Sequence, residues 1–168
     1  GDGPGSRGNV CATPPKKVML PGDIYPEGLC EWDMPGEPGA DAVLVTNRYG
    51  YRVSGVHTFG DKGYLMMLDA YDQANQEDSI LGRSFGLDHG MMISPEIVQQ
   101  SANLDVTWSL QPPMFYSTYA AGVSRVYGEE YAHRWMLPVR SLIDAGAKVS
   151  YGADTHDDPQ RQPMFSLE

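Results

Sequence analysis

Residues 51–76 read YRVSGVHTFGDKGYLMMLDAYDQANQ, and this stretch decides the fold that we predict for the chain. Its first part, Tyr51–His57, is short and rich in apolar and β-branched residues, which favours a β-strand. The second part, Asp61–Gln76, has recurring apolar residues and few helix breakers, so we predict a helix with Asp61 as its N-cap. A strand that ends in a histidine and leads into a helix is one unit of an α/β fold.

The same alternation continues along the chain. Further strands are predicted at Ser84–Asp88, Asp105–Leu110 and Lys148–Ala153, and further helices at 94–102 and Glu129–Ala145. Ser94 followed by proline and glutamate is a typical helix start, and Pro138 indicates a restart within the last helix. Residues 41–49 fit either a strand or a helix, and residues 111–131 are predicted to be a long loop. The order of elements indicates a parallel sheet with helical crossovers.

Composition narrows the possible functions. The chain has 168 residues and a net charge of −10, which argues against binding to nucleic acids or to anionic membranes. The start, GDGPGSRGNV, has neither a basic region nor an apolar segment, so we expect no signal peptide and a cytoplasmic location. The only two cysteines, Cys11 and Cys30, are too sparse for a disulfide framework, and we expect free thiols.

Polar side chains occur where three of the predicted strands end. His57 and His89 are 32 positions apart, about one βα unit, and Asp154 follows the last strand. The carboxyl ends of parallel strands meet at one edge, where imidazoles and a carboxylate can bind one metal ion. Alternatively, each histidine is a buried residue bonded to backbone, and the aspartate caps a turn. The three strand ends together favour a metal-dependent hydrolase.

Two other groups of residues follow from the predicted strands. Asp88 would face away from His89 on an alternating strand, so a salt bridge or a supporting contact suits it. The aromatic stretch after the third strand suggests Gln111, Met114 and Tyr116 as substrate-binding residues, although the same stretch fits simple loop packing.

Several longer motifs resemble a known family. They are VHTFGDKGYLMMLDAY, LDHG followed by ISPEIVQQ, VTWSLQP, and YGEEYAHRWMLPVRSLIDAGAKVSYGAD. Together they make residues 52–164 similar to the carboxyl-terminal half of the barrel in metal-dependent amidohydrolases. The branch that includes N-substituted formamide deformylases is the most similar one.

The resemblance implies a partial (β/α)8 TIM barrel, comprising strands five to eight after a long loop rich in Gly and Pro, residues 1–40. His57 would end strand five, His89 strand six and Asp154 strand eight, and Asp41–Tyr49 would be a helix. The family usually has Glu-His where this chain has Asp88-His89. Its His-x-His pair is absent here, and its lysine ligand would fall just before residue 1. Residues 41–168 would thus form half of a catalytic barrel.

The resemblance also implies a chemistry. One or two ions of Zn²⁺ or another divalent metal would activate water for attack on an amide or another non-peptide C–N bond of a small molecule. His57 and His89 would bind metal, and Asp154 would bind metal and act as the base; in a one-metal variant, His89 would polarise the carbonyl. The missing barrel half or an oligomeric partner would complete the site. The alternative is a fragment without activity, or a metal-binding or partner-binding subunit.

Overall fold

A computed structural model of the chain describes residues 39–58, 60–112 and 118–152. The helices are α1 (Ala40–Arg48), α2 (Asp61–Glu77), α3 (Pro95–Asn103), α4 (Thr118–Tyr127), α5 (Glu129–Trp135) and α6 (Val139–Asp144), and the strands are β1 (Gly86–His89), β2 (Thr107–Leu110) and β3 (Lys148–Tyr151). The predicted loop or arm at 1–40 falls almost wholly outside the described residues.

The three strands form one parallel sheet in the order β1-β2-β3. The register places His89 beside Leu110 and Leu110 beside Tyr151, so the three strands end at the same edge. This confirms the coarser prediction, a mixed α/β fold with a parallel sheet and helical crossovers. The polar residues that follow the strands therefore emerge on one side of the molecule.

Helices cover one face of this sheet and form the main hydrophobic core with it. The core contains Tyr64, Leu68 and Tyr71 of α2, Leu87 of β1, Trp108 and Leu110 of β2, Ile97 of α3 and Leu142 of α6. The β-strand period places Asp88 and Ser109 on the opposite face of the sheet, which is polar. The sheet thus has one apolar, helix-covered face and one polar face.

The prediction of a regular strand at Tyr51–His57 is wrong. The segment lies along β1 and makes two backbone hydrogen bonds to it, from Gly86 N to Val53 O at 2.8 Å and from Asp88 N to Val56 O at 3.1 Å. Between these two bonds the segment advances three positions while β1 advances two, so the segment has one extra residue, and this bulge interrupts the ladder. The chain passes so close that a Cβ at Gly86 would overlap the carbonyl oxygen of Ser54.

Of the two predicted N-cap residues, Ser94 is confirmed and Asp61 is wrong. Ser94 caps α3 as predicted, since its Oγ accepts from Ile97 N at 3.4 Å. The N-cap of α2 is Gly60 and not Asp61, because the helix begins at Asp61 itself and no side chain caps it. The Asp61 carboxylate instead accepts from the neighbouring amide of Lys62, at 2.8 Å.

The middle of the chain contains more helix than the sequence predicted. Residues 111–131 were expected to be a loop, but α4 occupies 118–127 and α5 begins at 129. The predicted helix Glu129–Ala145 is broken into α5 and α6, as Pro138 indicated. Residues 41–49 are helical up to Arg48, in agreement with the resemblance.

A second, smaller hydrophobic cluster lies beside the end of β1. It joins the turn after β1 to helices α4 and α5 and contains Met91, Met92, Val123, Tyr127, Ala132 and Met136. Backbone hydrogen bonds from Ile93 N to Trp135 O at 2.9 Å and from Leu137 N to Gly90 O at 2.7 Å hold the two parts together. None of the helices in the described ranges is long and apolar enough to cross a membrane.

Candidate metal centre

Two predicted histidines meet at the carboxyl end of the sheet. His57 Nδ1 and His89 Nε2 are 2.8 Å apart, and the ring centroids are separated by 4.6 Å with an angle of 66° between the planes. His89 is buried, with 1% of its surface exposed, whereas His57 is exposed. The pair therefore lies at the boundary between the core and solvent, where a small molecule or ion can reach it.

Gln111 orients the buried imidazole from its other side. Its Oε1 lies 3.0 Å from His89 Nδ1, and its amide nitrogen faces Ser109 Oγ at 3.5 Å. This arrangement assigns the carbonyl oxygen of Gln111 to the histidine, because the amide nitrogen has the hydroxyl as its acceptor. A carbonyl only accepts hydrogen bonds, so His89 Nδ1 carries the proton. In the neutral ring, Nε2 then bears the lone pair and is directed towards His57.

The backbone at the end of β1 is unusual. His89 has φ 76°, and Gly90 follows with φ 78°, so two successive residues lie in the left-handed region. This conformation is uncommon and strained for a residue other than glycine. Glycine adopts the left-handed conformation of position 90 without strain, and a Cβ at this position would also clash with the side chain of Leu110. The turn thus directs His89 towards the strand edge.

The pair fits two ligands of a divalent metal. Two nitrogens that bind one tetrahedral zinc ion at about 2.0–2.1 Å lie roughly 3.3 Å apart, and those of His57 and His89 are 2.8 Å apart in this structure. An opening of about half an ångström therefore satisfies both. Among residues 39–58, 60–112 and 118–152, no cluster of three or more His, Cys, Asp or Glu side chains is placed to hold a metal ion.

The other predicted site residues have different positions. Asp154, Met114 and Tyr116 lie outside the described residues. Gln111 is 6% exposed, and its side chain contacts His89. The Asp88 carboxylate packs against Gly55, where a Cβ would approach Oδ1 to 2.8 Å.

Sequence reasoning missed Tyr64, a residue of α2 that contacts both histidine-bearing turns. Its hydroxyl lies 2.7 Å from Thr58 O and 2.9 Å from Asp88 O, and it accepts from Gly90 N at 3.1 Å and Met91 N at 3.2 Å. The sequence shows Tyr64 only as an apolar position of a helix. Tyr64 and Tyr71 are seven residues, or two helical turns, apart on α2, which is the spacing of two residues on one buried helix face. This pattern does not distinguish a hydroxyl with a polar role from ordinary core packing.

Comparison with known proteins identifies the family. A model described as "Amidohydrolase family" matches residues 26–162, most of the chain. The chain therefore belongs to the amidohydrolase family, which confirms the resemblance drawn from its motifs. The histidines at positions 57 and 89 both lie within the matched region.

Individual proteins are also similar. Over 121 residues the chain is 25% identical to the "Protein LONG AFTER FAR-RED 3" of Arabidopsis thaliana, an alignment that covers 72% of this chain and 20% of the plant protein. Crystal structures of uncharacterized metal-dependent hydrolases share the fold. The structure from Pyrococcus furiosus has a TM-score of 0.66 and 20% sequence identity, over 96% of this chain. The structure from Pyrococcus horikoshii has a TM-score of 0.59 and 18% sequence identity, over 93% of this chain. The chain spans 30% and 28% of these two chains.

Proposed function

We propose that this chain contributes two imidazole ligands, His57 and His89, to the divalent metal centre of a hydrolase. The observation that carries the proposal is the approach of His57 Nδ1 to His89 Nε2, with the latter ring oriented by Gln111. Membership of the amidohydrolase family supports an amide or another non-peptide C–N bond as the target. The proposed metal is Zn²⁺ or another divalent ion, since neutral imidazole is a common ligand of zinc.

The fold around this centre is proposed to be half of a (β/α)8 barrel. The segment at 51–57 and strands β1, β2 and β3 would be strands five to eight, with residues 1–40 as the loop or arm before them. A parallel sheet with helices packed on one face matches the wall of such a barrel, in which helices form the outer ring. The missing barrel half, from a longer chain or an oligomeric partner, would supply the remaining ligands.

Each residue has a separate task in the proposed reaction. A bound divalent metal lowers the pKa of water to about 7. His57 and His89 would hold the metal, and Gln111 would keep the proton of His89 on Nδ1. Asp154 would accept a proton from the water as its oxygen attacks the amide carbonyl carbon, and would pass that proton to the leaving nitrogen as the C–N bond breaks. Its place in the sequence supports this role, because it comes three residues after β3, and Gly152 N bonds Leu110 O at 2.8 Å at the same edge.

The assignment of the metal ligands is tested by Zn²⁺ binding to the full chain and to three alanine variants. His57→Ala and His89→Ala should each weaken binding by tenfold or more, about 1.4 kcal/mol. His133→Ala is the matched control, because His133 is an exposed histidine on α5. Wild-type affinity in the His89→Ala variant would overturn the assignment.

The hydrolase activity needs a second experiment. The zinc-loaded chain, alone and with any polypeptide that copurifies with it, is assayed for ammonia or amine release from small N-substituted amides. Turnover that disappears in Asp154→Asn while zinc is retained supports the proposed reaction. Stoichiometric zinc without turnover in either sample would replace it by the alternative, a metal-binding subunit.

A further inference from the structure

The hydroxyl of Tyr64 joins the two turns that carry the histidines. Its four hydrogen-bonding neighbours are Thr58 O, Asp88 O, Gly90 N and Met91 N, at 2.7–3.2 Å. Thr58 directly follows His57, and Asp88 and Gly90 directly flank His89. A single atom of α2 is therefore in contact with the backbone next to both imidazoles.

We propose that Tyr64 is a positioning residue that fixes the separation of His57 and His89. This inference rests on the proposed function, since the separation matters for catalysis only if the two imidazoles share a ligand. Tyr64 reaches the site through the backbone alone. It therefore sets where the two rings stand without contributing a group to the chemistry.

The hydroxyl can hold both turns because its hydrogen-bonding capacity is fully used. Two lone pairs accept from Gly90 N and Met91 N, and the one proton is shared between Thr58 O and Asp88 O. Tyr64 has no exposed surface, so no water replaces these partners. Burial also raises the pKa of this hydroxyl far above its ordinary value, and the group keeps its proton throughout the physiological range.

The ring of Tyr64 is itself held in place. It packs against Trp108 of β2 with centroids 5.1 Å apart and planes inclined by 60°. Trp108 has no exposed surface and lies in the centre of the sheet. The side chain of Tyr64 thus packs against the buried core through its ring and bonds the two histidine-bearing turns through its hydroxyl.

Tyr71 offers a matched control on the same helix. It is two turns further along α2, is fully buried, and its hydroxyl donates to Gly86 O at 2.7 Å. Gly86 begins β1, whereas His89 ends it. Tyr71→Phe therefore removes the same atom from the same helix, and it breaks a bond at the end of the strand away from the histidines.

The test compares Tyr64→Phe with Tyr71→Phe in the full chain. Long-range ¹H–¹⁵N correlation spectra report the hydrogen bond from His57 Nδ1 to His89 Nε2 in the absence of metal. Competition with a chelating dye reports the affinity for Zn²⁺. We expect Tyr64→Phe to lose the imidazole hydrogen bond and to bind Zn²⁺ about 10–100-fold more weakly, the usual loss for a supporting residue. Tyr71→Phe should keep both the imidazole hydrogen bond and the affinity for Zn²⁺, while its Tm should fall by about as much as that of Tyr64→Phe.

The two readouts separate this inference from the proposed function. If the wild type binds no Zn²⁺, the metal proposal fails, and loss of the imidazole signal in Tyr64→Phe alone still supports the positioning role. An imidazole signal and a zinc affinity that are unchanged in Tyr64→Phe overturn it. If that variant does not fold, amide hydrogen exchange in the wild type decides: slow exchange at Gly90 and Met91 supports the role, and exchange at the rate of an unstructured peptide overturns it.

Discussion

Gln111→Leu isolates the contact that orients His89. The substitution keeps most of the side-chain volume but removes the carbonyl oxygen that lies 3.0 Å from His89 Nδ1 and accepts its hydrogen bond. Because His89 is 1% exposed, loss of this buried hydrogen bond costs about 1–3 kcal/mol. Loss of a supporting partner typically weakens metal binding about 10–100-fold, or roughly 1.4–2.7 kcal/mol. The cost of losing the buried hydrogen bond and the expected loss of zinc-binding free energy are therefore of similar size.

The assay is the dissociation constant for Zn²⁺, measured by competition with a chelating dye and paired with thermal unfolding of the metal-free chain. Gln111→Glu is the conservative comparison, since its carboxylate accepts the same hydrogen bond and should preserve binding. Ser109→Ala removes the weaker contact, 3.5 Å from the amide of Gln111, and should have a smaller effect. Zinc affinity within twofold of the wild type in Gln111→Leu would refute the reasoning.

Three further predictions concern the scaffold. Gly86→Ala would bring a Cβ into the carbonyl of Ser54, and this overpacking should destabilise the fold by about 1–3 kcal/mol in urea unfolding; an unchanged midpoint would contradict the close approach. Ser94→Ala removes the N-cap of α3 and should lower the free energy of unfolding by about 1 kcal/mol in the same measurement. An unchanged unfolding midpoint would contradict a stabilising cap. Lys148 donates a hydrogen bond to Asp105 and holds the pKa of that carboxyl below its ordinary value. The pair therefore stabilises the fold at pH values above the unfolded-state pKa of Asp105. This stabilisation is lost as the pH falls through the folded-state pKa. Lys148→Met should therefore lower Tm at neutral pH but not in strong acid, and an equal loss at both would be inconsistent with this pairing.

The sequence predicted those features that depend on local patterns. Ser94 with its following proline and glutamate marked the start of α3 correctly, and Pro138 marked the break between α5 and α6. The spacing of His57 and His89 predicted that their rings would converge, because residues one βα unit apart reach the same edge of a parallel sheet.

Other features depend on contacts between distant parts of the chain. The segment at 51–57 has the composition of a strand, but its extra residue against β1 creates a bulge that no local pattern reveals. The residues of α4 were predicted to lie in a loop. Tyr, Gly and Val have weak helix propensity, and packing of Val123 and Tyr127 against the methionines after β1 stabilises the helix. The roles of Gln111 and Tyr64 arise only from tertiary contacts.

The central claim is that His57 and His89 bind one metal ion, and a zinc titration followed by imidazole ¹⁵N shifts tests it most directly. Without metal, both rings should carry their proton on Nδ1, because His89 donates to Gln111 and His57 donates to His89. With one equivalent of Zn²⁺, His57 should move its proton to Nε2 and bind through Nδ1, while His89 keeps its Nδ1 proton and binds through Nε2. Both shifts should follow the same saturation curve. Unchanged tautomers, or two independent curves, would contradict a shared metal site.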